Sequence, residues 1–131
     1  MIPNNITNIA GGYAGGGYEQ GAFENNQLTS VTFGSGVTNI GYRAFMNNQL
    51  ISLVIPDNIV SIDSLSFYNN QIASLTLGNG VTQIKTDAFT QNKLTSVIIP
   101  SNVSSIWDHV FSWNLISSSA NITVHCDIPV F

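Results

Sequence analysis

Charge is what this chain has least of. Of its 131 residues three are Lys or Arg and seven are Asp or Glu, 8% in all, for a formal net charge of −4. A surface that neutralises nucleic-acid phosphates needs clustered Lys and Arg. Their scarcity argues against a nucleic-acid partner and equally against an anionic membrane surface. No apolar run approaches the roughly 18 residues of a membrane-spanning helix, so no membrane insertion is expected. The single cysteine, Cys126, allows no internal disulfide, and it reads as a small buried apolar side chain rather than a redox thiol. The opening stretch has neither the basic start nor the apolar centre of a signal peptide. Also missing are C-x-x-C, H-E-x-x-H and a phosphate-cradling glycine loop; Gly15-Gly16-Gly17 has no lysine behind it and precedes no helix. With so few charges, the polar surface must come from Asn, Ser, Thr, Gln and Gly.

What the chain does have is a repeat. From Leu28 to Leu115 a 22-residue unit runs four times without a gap: LTSVTFGSGVTNIGYRAFMNNQ, LISLVIPDNIVSIDSLSFYNNQ, IASLTLGNGVTQIKTDAFTQNK and LTSVIIPSNVSSIWDHVFSWNL. A constant period of this size marks a solenoid, whose units bury a continuous core only by stacking. At this length the chain is one domain, with a solid core only if the coils stack.

Stacking the units produces columns. Phe23, Phe45, Phe67, Phe89 and Phe111 form one, expected to fill the wider side of each coil. Asn26, Asn48, Asn70, Asn92 and Asn114 form another. A polar side chain repeated among apolar columns is best explained as buried and bonded to loop backbone. Ile40, Ile62, Ile84 and Ile106 make a third column, and Val37, Ile59, Val81 and Val103 a fourth. The L-x-x-L-x-L spacing, as in Leu28, Val31, Phe33 and Leu50, Leu53, Ile55, reads as a short strand with one face buried. Copies of it stacked at about 4.8 Å would form a parallel sheet.

Turn residues follow each strand: Gly34-Ser35-Gly36, Pro56-Asp57-Asn58, Gly78-Asn79-Gly80 and Pro100-Ser101-Asn102. The third position is always Gly or Asn, the residues that most readily turn left-handed, so a left-handed conformation is expected there. The first position alternates Gly and Pro, a hint that a 44-residue pair was duplicated.

The pattern L-T-S-V-x-I-P-x-x-V-x-x-I-x-x-x-A-F-x-x-N-x-L resembles the BspA-type leucine-rich repeat, a family common on bacterial surfaces and in some protists. The resemblance is strong over 28–115 and looser on both flanks. It implies a right-handed repeat solenoid with a parallel β-sheet along one side and loops or short helical turns along the other. It also implies a secreted or surface-attached protein, extracellular in location, that binds host proteins or other cells.

The flanks extend the repeat unevenly. Ile2-Pro3-Asn4-Asn5-Ile6 matches Ile55-Pro56-Asp57-Asn58-Ile59, so 1–27 reads as a partial first coil. The interval from Ile9 to Phe23 is nine residues longer than in later units, owing to the Gly-rich stretch Gly11 to Gly17. Loops inserted in solenoids often carry binding residues, which makes Tyr13 and Tyr18 candidate contacts. The last stretch, 116–131, is an irregular coil delayed by Ser117-Ser118-Ser119, with Ile122-Thr123-Val124 in the place of Val31-Thr32-Phe33. No polar cap follows, so the chain is expected to be a fragment or to have its ends covered by neighbours; exposed coil ends favour association.

Chemistry has few candidates. His109 shares a column with Arg43, Leu65 and Asp87, and Asp108 shares one with Tyr42, Ser64 and Thr86, so both read as tolerant surface positions. His125 and Cys126 are strand neighbours whose side chains point to opposite faces, and Asp127 has no partner in a motif. No catalytic residue, metal site or cofactor is expected. Asn5, Asn102 and Asn121 head Asn-x-Ser/Thr triplets, relevant only in a eukaryotic secretory setting.

Binding residues are therefore sought on surfaces. The outward strand positions are Ser30 and Thr32, Ser52 and Val54, Ser74 and Thr76, Ser96 and Ile98, a flat uncharged face without the aromatic anchors that dominate hot spots. Aromatics stand on the loop side, where Trp107 and Trp113 occupy columns otherwise polar or small, either as exposed contacts or as a cover for the last coil. The expected function is a non-enzymatic adhesion or protein-interaction module whose partner is a host or cell-surface protein. The alternative is a structural subunit that binds copies of itself end to end.

Overall fold

The computed structural model describes residues 1–11, 20–118 and 121–124. Each unit closes one turn of a parallel β-solenoid. Among the described residues the strands are β1 (Asn8–Ile9), β2 (Asn39–Ile40), β3 (Ser52–Ile55), β4 (Ser61–Ile62) and β5 (Ser74–Leu77). They continue with β6 (Gln83–Ile84), β7 (Val97–Ile99), β8 (Ser105–Ile106) and β9 (Ile122–Val124).

The ladder that runs the length of the coil is not the expected one. It is the five-stranded parallel sheet β1-β2-β4-β6-β8, with Ile9, Ile40, Ile62, Ile84 and Ile106 in register. The L-x-x-L-x-L strands pair only in twos, β3 with β5 and β7 with β9. Ser30–Phe33 of the first unit forms no strand. Among the described residues the loop side turns without a helix: in the first unit Ala44 N–H donates to Gly41 O and Met46 N–H to Arg43 O, each 3.1 Å.

Between these walls lies one apolar core that includes Val37, Ile40, Phe45, Ile59, Phe67 and Phe89. The Phe rings form a continuous stack, with centroids 5.1, 5.3, 5.4 and 5.8 Å apart from Phe23 to Phe111. That spacing lies in the favourable range for aromatic pairs. Phe33 meets Phe45 edge-on at 5.8 Å.

The Asn column stitches coil to coil. Asn70 is 1% exposed. Its Oδ1 accepts from Leu50 N–H at 3.1 Å, and its Nδ2 donates to Phe45 O at 3.0 Å and Phe67 O at 3.1 Å. Asn48 and Asn92 repeat these bonds one coil away on either side, and Asn114 repeats them two coils on. Asn26 departs from the pattern: it is exposed, and its amide donates to Glu24 O. The first coil holds a buried charge instead. Glu24 pairs with Arg43 and also accepts from Gly21 N–H at 2.9 Å, fixing the base of the Gly-rich insertion.

Left-handed residues lie where sequence reasoning did not put them. Neither Asn58 nor Asn102 has positive φ, and neither do Gly36 and Gly80. The left-handed positions are two loop-side columns: Arg43, Leu65, Asp87 and His109 at 56–60°, and Asn25, Asn47, Asn69, Gln91 and Trp113 at 53–57°. Gly36 and Gly80 are required for a different reason. A Cβ on either would collide with a backbone oxygen of the preceding coil, Asn4 O and Asp57 O respectively.

The Gly–Pro alternation therefore has a structural counterpart. Where a Gly-type turn follows a Pro-type turn, the coils approach closely: Asn79 N–H donates to Asp57 Oδ1 at 2.7 Å, Ser35 N–H to Asn4 Oδ1 at 3.0 Å, and the strands β3 and β5 pair. Where a Pro-type turn follows a Gly-type turn, strand pairing is absent among the described residues. An Asn side chain spans the junction instead, Asn58 Nδ2 donating to Val37 O at 2.6 Å and Gly34 O at 3.2 Å.

Candidate functional site

The flat face that the strand spacing implied is present and open to solvent. Ser30, Thr32, Ser52, Val54, Ser74, Thr76, Ser96 and Ile98 are all exposed. Alternation explains why: in β3 Leu53 and Ile55 point into the core, so Ser52 and Val54 must point out. The row is uncharged, and its apolar members Val54 and Ile98 stand 61% and 58% exposed. Both follow from the same column of Pro-type coils, whereas the Gly-type coils carry Thr32 and Thr76 there. The face is not continuous. Between Ser30–Phe33 and Ser52–Pro56 lies an open groove of about 380 Å³, with Val31, Phe33, Val54 and Pro56 along it.

A second surface is aromatic. Trp113 is 80% exposed and Trp107 51%. With His109 they border an open hollow of about 450 Å³ at the last full unit, floored by Val110, Phe111 and Ile116. Trp107 is the better held of the two. Its Nε1 donates to Ser105 Oγ at 2.9 Å, and Lys85 Nζ lies 6.0 Å from its ring centroid. Lys85 also pairs with Asp63 at 3.2 Å, so Asp63, Lys85 and Trp107 form a line across three coils. Strand-like alternation does not bring the two surfaces together: the serine–threonine row follows the outer face of β3, β5 and β7, while the tryptophans flank β8 and the loop-side turn.

Tyr13 and Tyr18 lie outside the described residues, as do His125, Cys126 and Asp127. Asp108 and His109 are exposed neighbours on a turn. Among the described residues no three His, Cys, Asp or Glu side chains converge as metal ligands would, and no helix is long and apolar enough to cross a membrane.

Sequence reasoning missed a third feature. The exposed amides of Asn25, Asn47 and Asn69 are linked, Asn47 Nδ2 donating to Asn25 Oδ1 at 2.8 Å and Asn69 Nδ2 to Asn47 Oδ1 at 2.9 Å. Their recurrence was visible, but beside the buried Asn column they read only as loop polarity. Gln91 and Trp113 occupy the next two places in this column, so one coil separates the ladder from the aromatic surface.

Parallel strands, a ring stack and an amide ladder at one constant spacing define a leucine-rich-repeat solenoid. The family model of the BspA type leucine-rich repeat region matches residues 2–117 in 6 copies, and the chain belongs to that family. A solved structure with a similar fold is a leucine-rich cell surface protein from Faecalibacterium prausnitzii, at a TM-score of 0.61 and 24% identity. The likeness covers 96% of this chain and 38% of that one, so the chain spans well under half of that protein. At this identity the similarity concerns the fold. Comparison with curated protein sequences gives no match.

Proposed function

We propose that the chain is a non-enzymatic protein-interaction module of an extracellular or cell-surface protein, and that it engages a protein partner through its serine–threonine face. The supporting observation is the pair Val54 and Ile98. Two β-branched apolar side chains stand more than half exposed on an otherwise small and polar row. Exposed apolar groups on a flat face are the anchors a protein partner would bury. Low charge fits the same reading, because such a face offers no electrostatic steering and selects by shape.

The test is binding of the purified chain to a panel of immobilised extracellular-matrix and epithelial surface proteins. Val54→Lys and Ile98→Lys are expected to weaken a specific interaction about tenfold each, the effect of losing one moderate anchor. Unchanged binding by both variants, with folding intact, would overturn the assignment of the face.

A second reading is favoured by the last coils, where Trp113, Leu115 and Val124 are 80%, 59% and 57% exposed. These side chains would be covered if copies of the chain stacked end to end. Light scattering across concentration tests this: larger species that Val124→Lys or Ile6→Lys disperses would support it, and a monomer throughout would reject it.

A further inference from the structure

We propose that the rigid unit of this solenoid is a block of two coils, and that the serine–threonine face flexes at the joints between blocks. This goes beyond the proposed binding role and does not depend on it. A block is a Pro-type coil with the Gly-type coil that follows. The middle block, residues 50–93, shows its construction in full. Four register pairs join β3 to β5, from Ser52↔Ser74 to Ile55↔Leu77. Gly80 is pressed against Asp57 O, and Asp57 Oδ1 caps Asn79 N–H at 2.7 Å. The block before it repeats the arrangement, with Ile2 N–H donating to Thr32 O at 2.7 Å, Gly36 against Asn4 O, and Asn4 Oδ1 accepting from Ser35 N–H. Beyond it the last Pro-type coil pairs in the same way with the coil that follows, β7 with β9 through Val97↔Ile122, Ile98↔Thr123 and Ile99↔Val124, although the turn of that last coil lies outside the described residues.

At the joints the strand pairing is missing. Ser30–Phe33 forms no strand with β3, and β5 forms no sheet with β7. The first joint opens as the groove along Val31, Phe33, Val54 and Pro56. Ahead of the strand the first joint keeps a long backbone bond, Ile51 N–H to Thr29 O at 3.4 Å, and at the turn an Asn side chain crosses each joint, Asn58 to Val37 O and Gly34 O, and Asn102 to Asn79 O. The opposite wall has no such breaks. The β1-β2-β4-β6-β8 ladder, the Phe stack and the buried Asn column run through joints and blocks alike. A coil stack bonded continuously on one side and intermittently on the other bends at the gaps. Bending changes the spacing of Thr32 to Val54 and of Thr76 to Ile98, and leaves the spacing of Val54 to Thr76 fixed. The face can thereby adjust its curvature in steps of two coils.

Residue-resolved amide exchange of the whole chain is the test. In a two-stranded ribbon each strand is bonded along one flank, so every second amide of 52–55 and of 74–77 is expected to exchange at least about tenfold faster than its neighbour. A disulfide across the joint (Thr32→Cys with Val54→Cys) is expected to remove most of that alternation in 52–55. A disulfide within the block (Val54→Cys with Thr76→Cys) is expected to leave it. The reduced form of each variant reports on folding, and the unmodified chain alone decides the matter if a variant fails to fold. Uniform protection of both strands in the unmodified chain, or alternation that the joint disulfide does not alter, would overturn the proposal.

Discussion

A single residue type does two different jobs in this chain, and burial decides which. Asn70 is buried, bonds the N–H of Leu50, and shares the carbonyls of Phe45 and Phe67 with Asn48 and Asn92. Asn70→Ala leaves the buried Leu50 N–H without its partner and takes one of two amide donors from each of Phe45 O and Phe67 O, so a loss of about 1–3 kcal/mol is expected in chemical denaturation. Asn69, one residue earlier, is exposed, and its side chain donates to Asn47. Asn69→Ser should therefore cost well under about 1 kcal/mol, and equal losses at 69 and 70 would contradict the burial argument. Ser66 provides the opposite case. It is fully buried, and its Oγ has no hydrogen-bond partner, while Ala44 and Ala88 hold the equivalent places in the neighbouring coils. Ser66→Ala is expected to raise stability by about 1 kcal/mol in the same assay, since it removes an unbonded hydroxyl from the core and keeps its volume.

Elements were legible in proportion to how much side-chain identity each one needs. The Phe and Asn columns could be read directly, because ring stacking and amide bonding each demand one residue type at every coil. The long ladder was harder to see. Its strands are two residues each, too short to show alternation, and Ile40, Ile62, Ile84 and Ile106 read as core without reading as strand. The left-handed columns were hidden for another reason: Leu65, His109 and Trp113 are poor residues for that conformation, and the double turn imposes it on whatever side chain is there. The outward face could be read from the L-x-x-L-x-L alternation, but its division into ribbons depends on the Gly and Pro residues of the adjoining turn. Trp113 allows strain and contact to be separated. Its φ is 55° and its side chain is mostly exposed, so Trp113→Gly relieves backbone strain and sacrifices little packing. Thermal unfolding of that variant should show no loss, or a gain of up to about 1 kcal/mol. A clear loss would mean that the indole covers the last coil rather than standing free for a partner.

At the scale of the whole molecule, the order of coil types becomes a constraint that no single coil reveals. Stability in a solenoid is approximately the sum of unit terms and nearest-neighbour junction terms. Here two kinds of junction alternate, a tight one into Gly-type turns and an Asn-bridged one into Pro-type turns. Deleting residues 50–93 removes one block and joins a Gly-type coil to the Pro-type coil of 94–115, a junction that already exists in the chain. Deleting residues 50–71 removes half as much but places Gly78 and Gly80 over Gly34 and Gly36, where neither Asp57 nor Asn58 remains to bond the turns. Simple loss of core predicts that the shorter deletion is the milder one. Junction matching predicts the reverse, with the 44-residue deletion retaining a cooperative transition and the 22-residue deletion melting lower or broadly. Circular dichroism followed through thermal unfolding distinguishes them, and a higher midpoint for the 22-residue deletion would show that coils are interchangeable and that the Gly–Pro order carries no stability of its own.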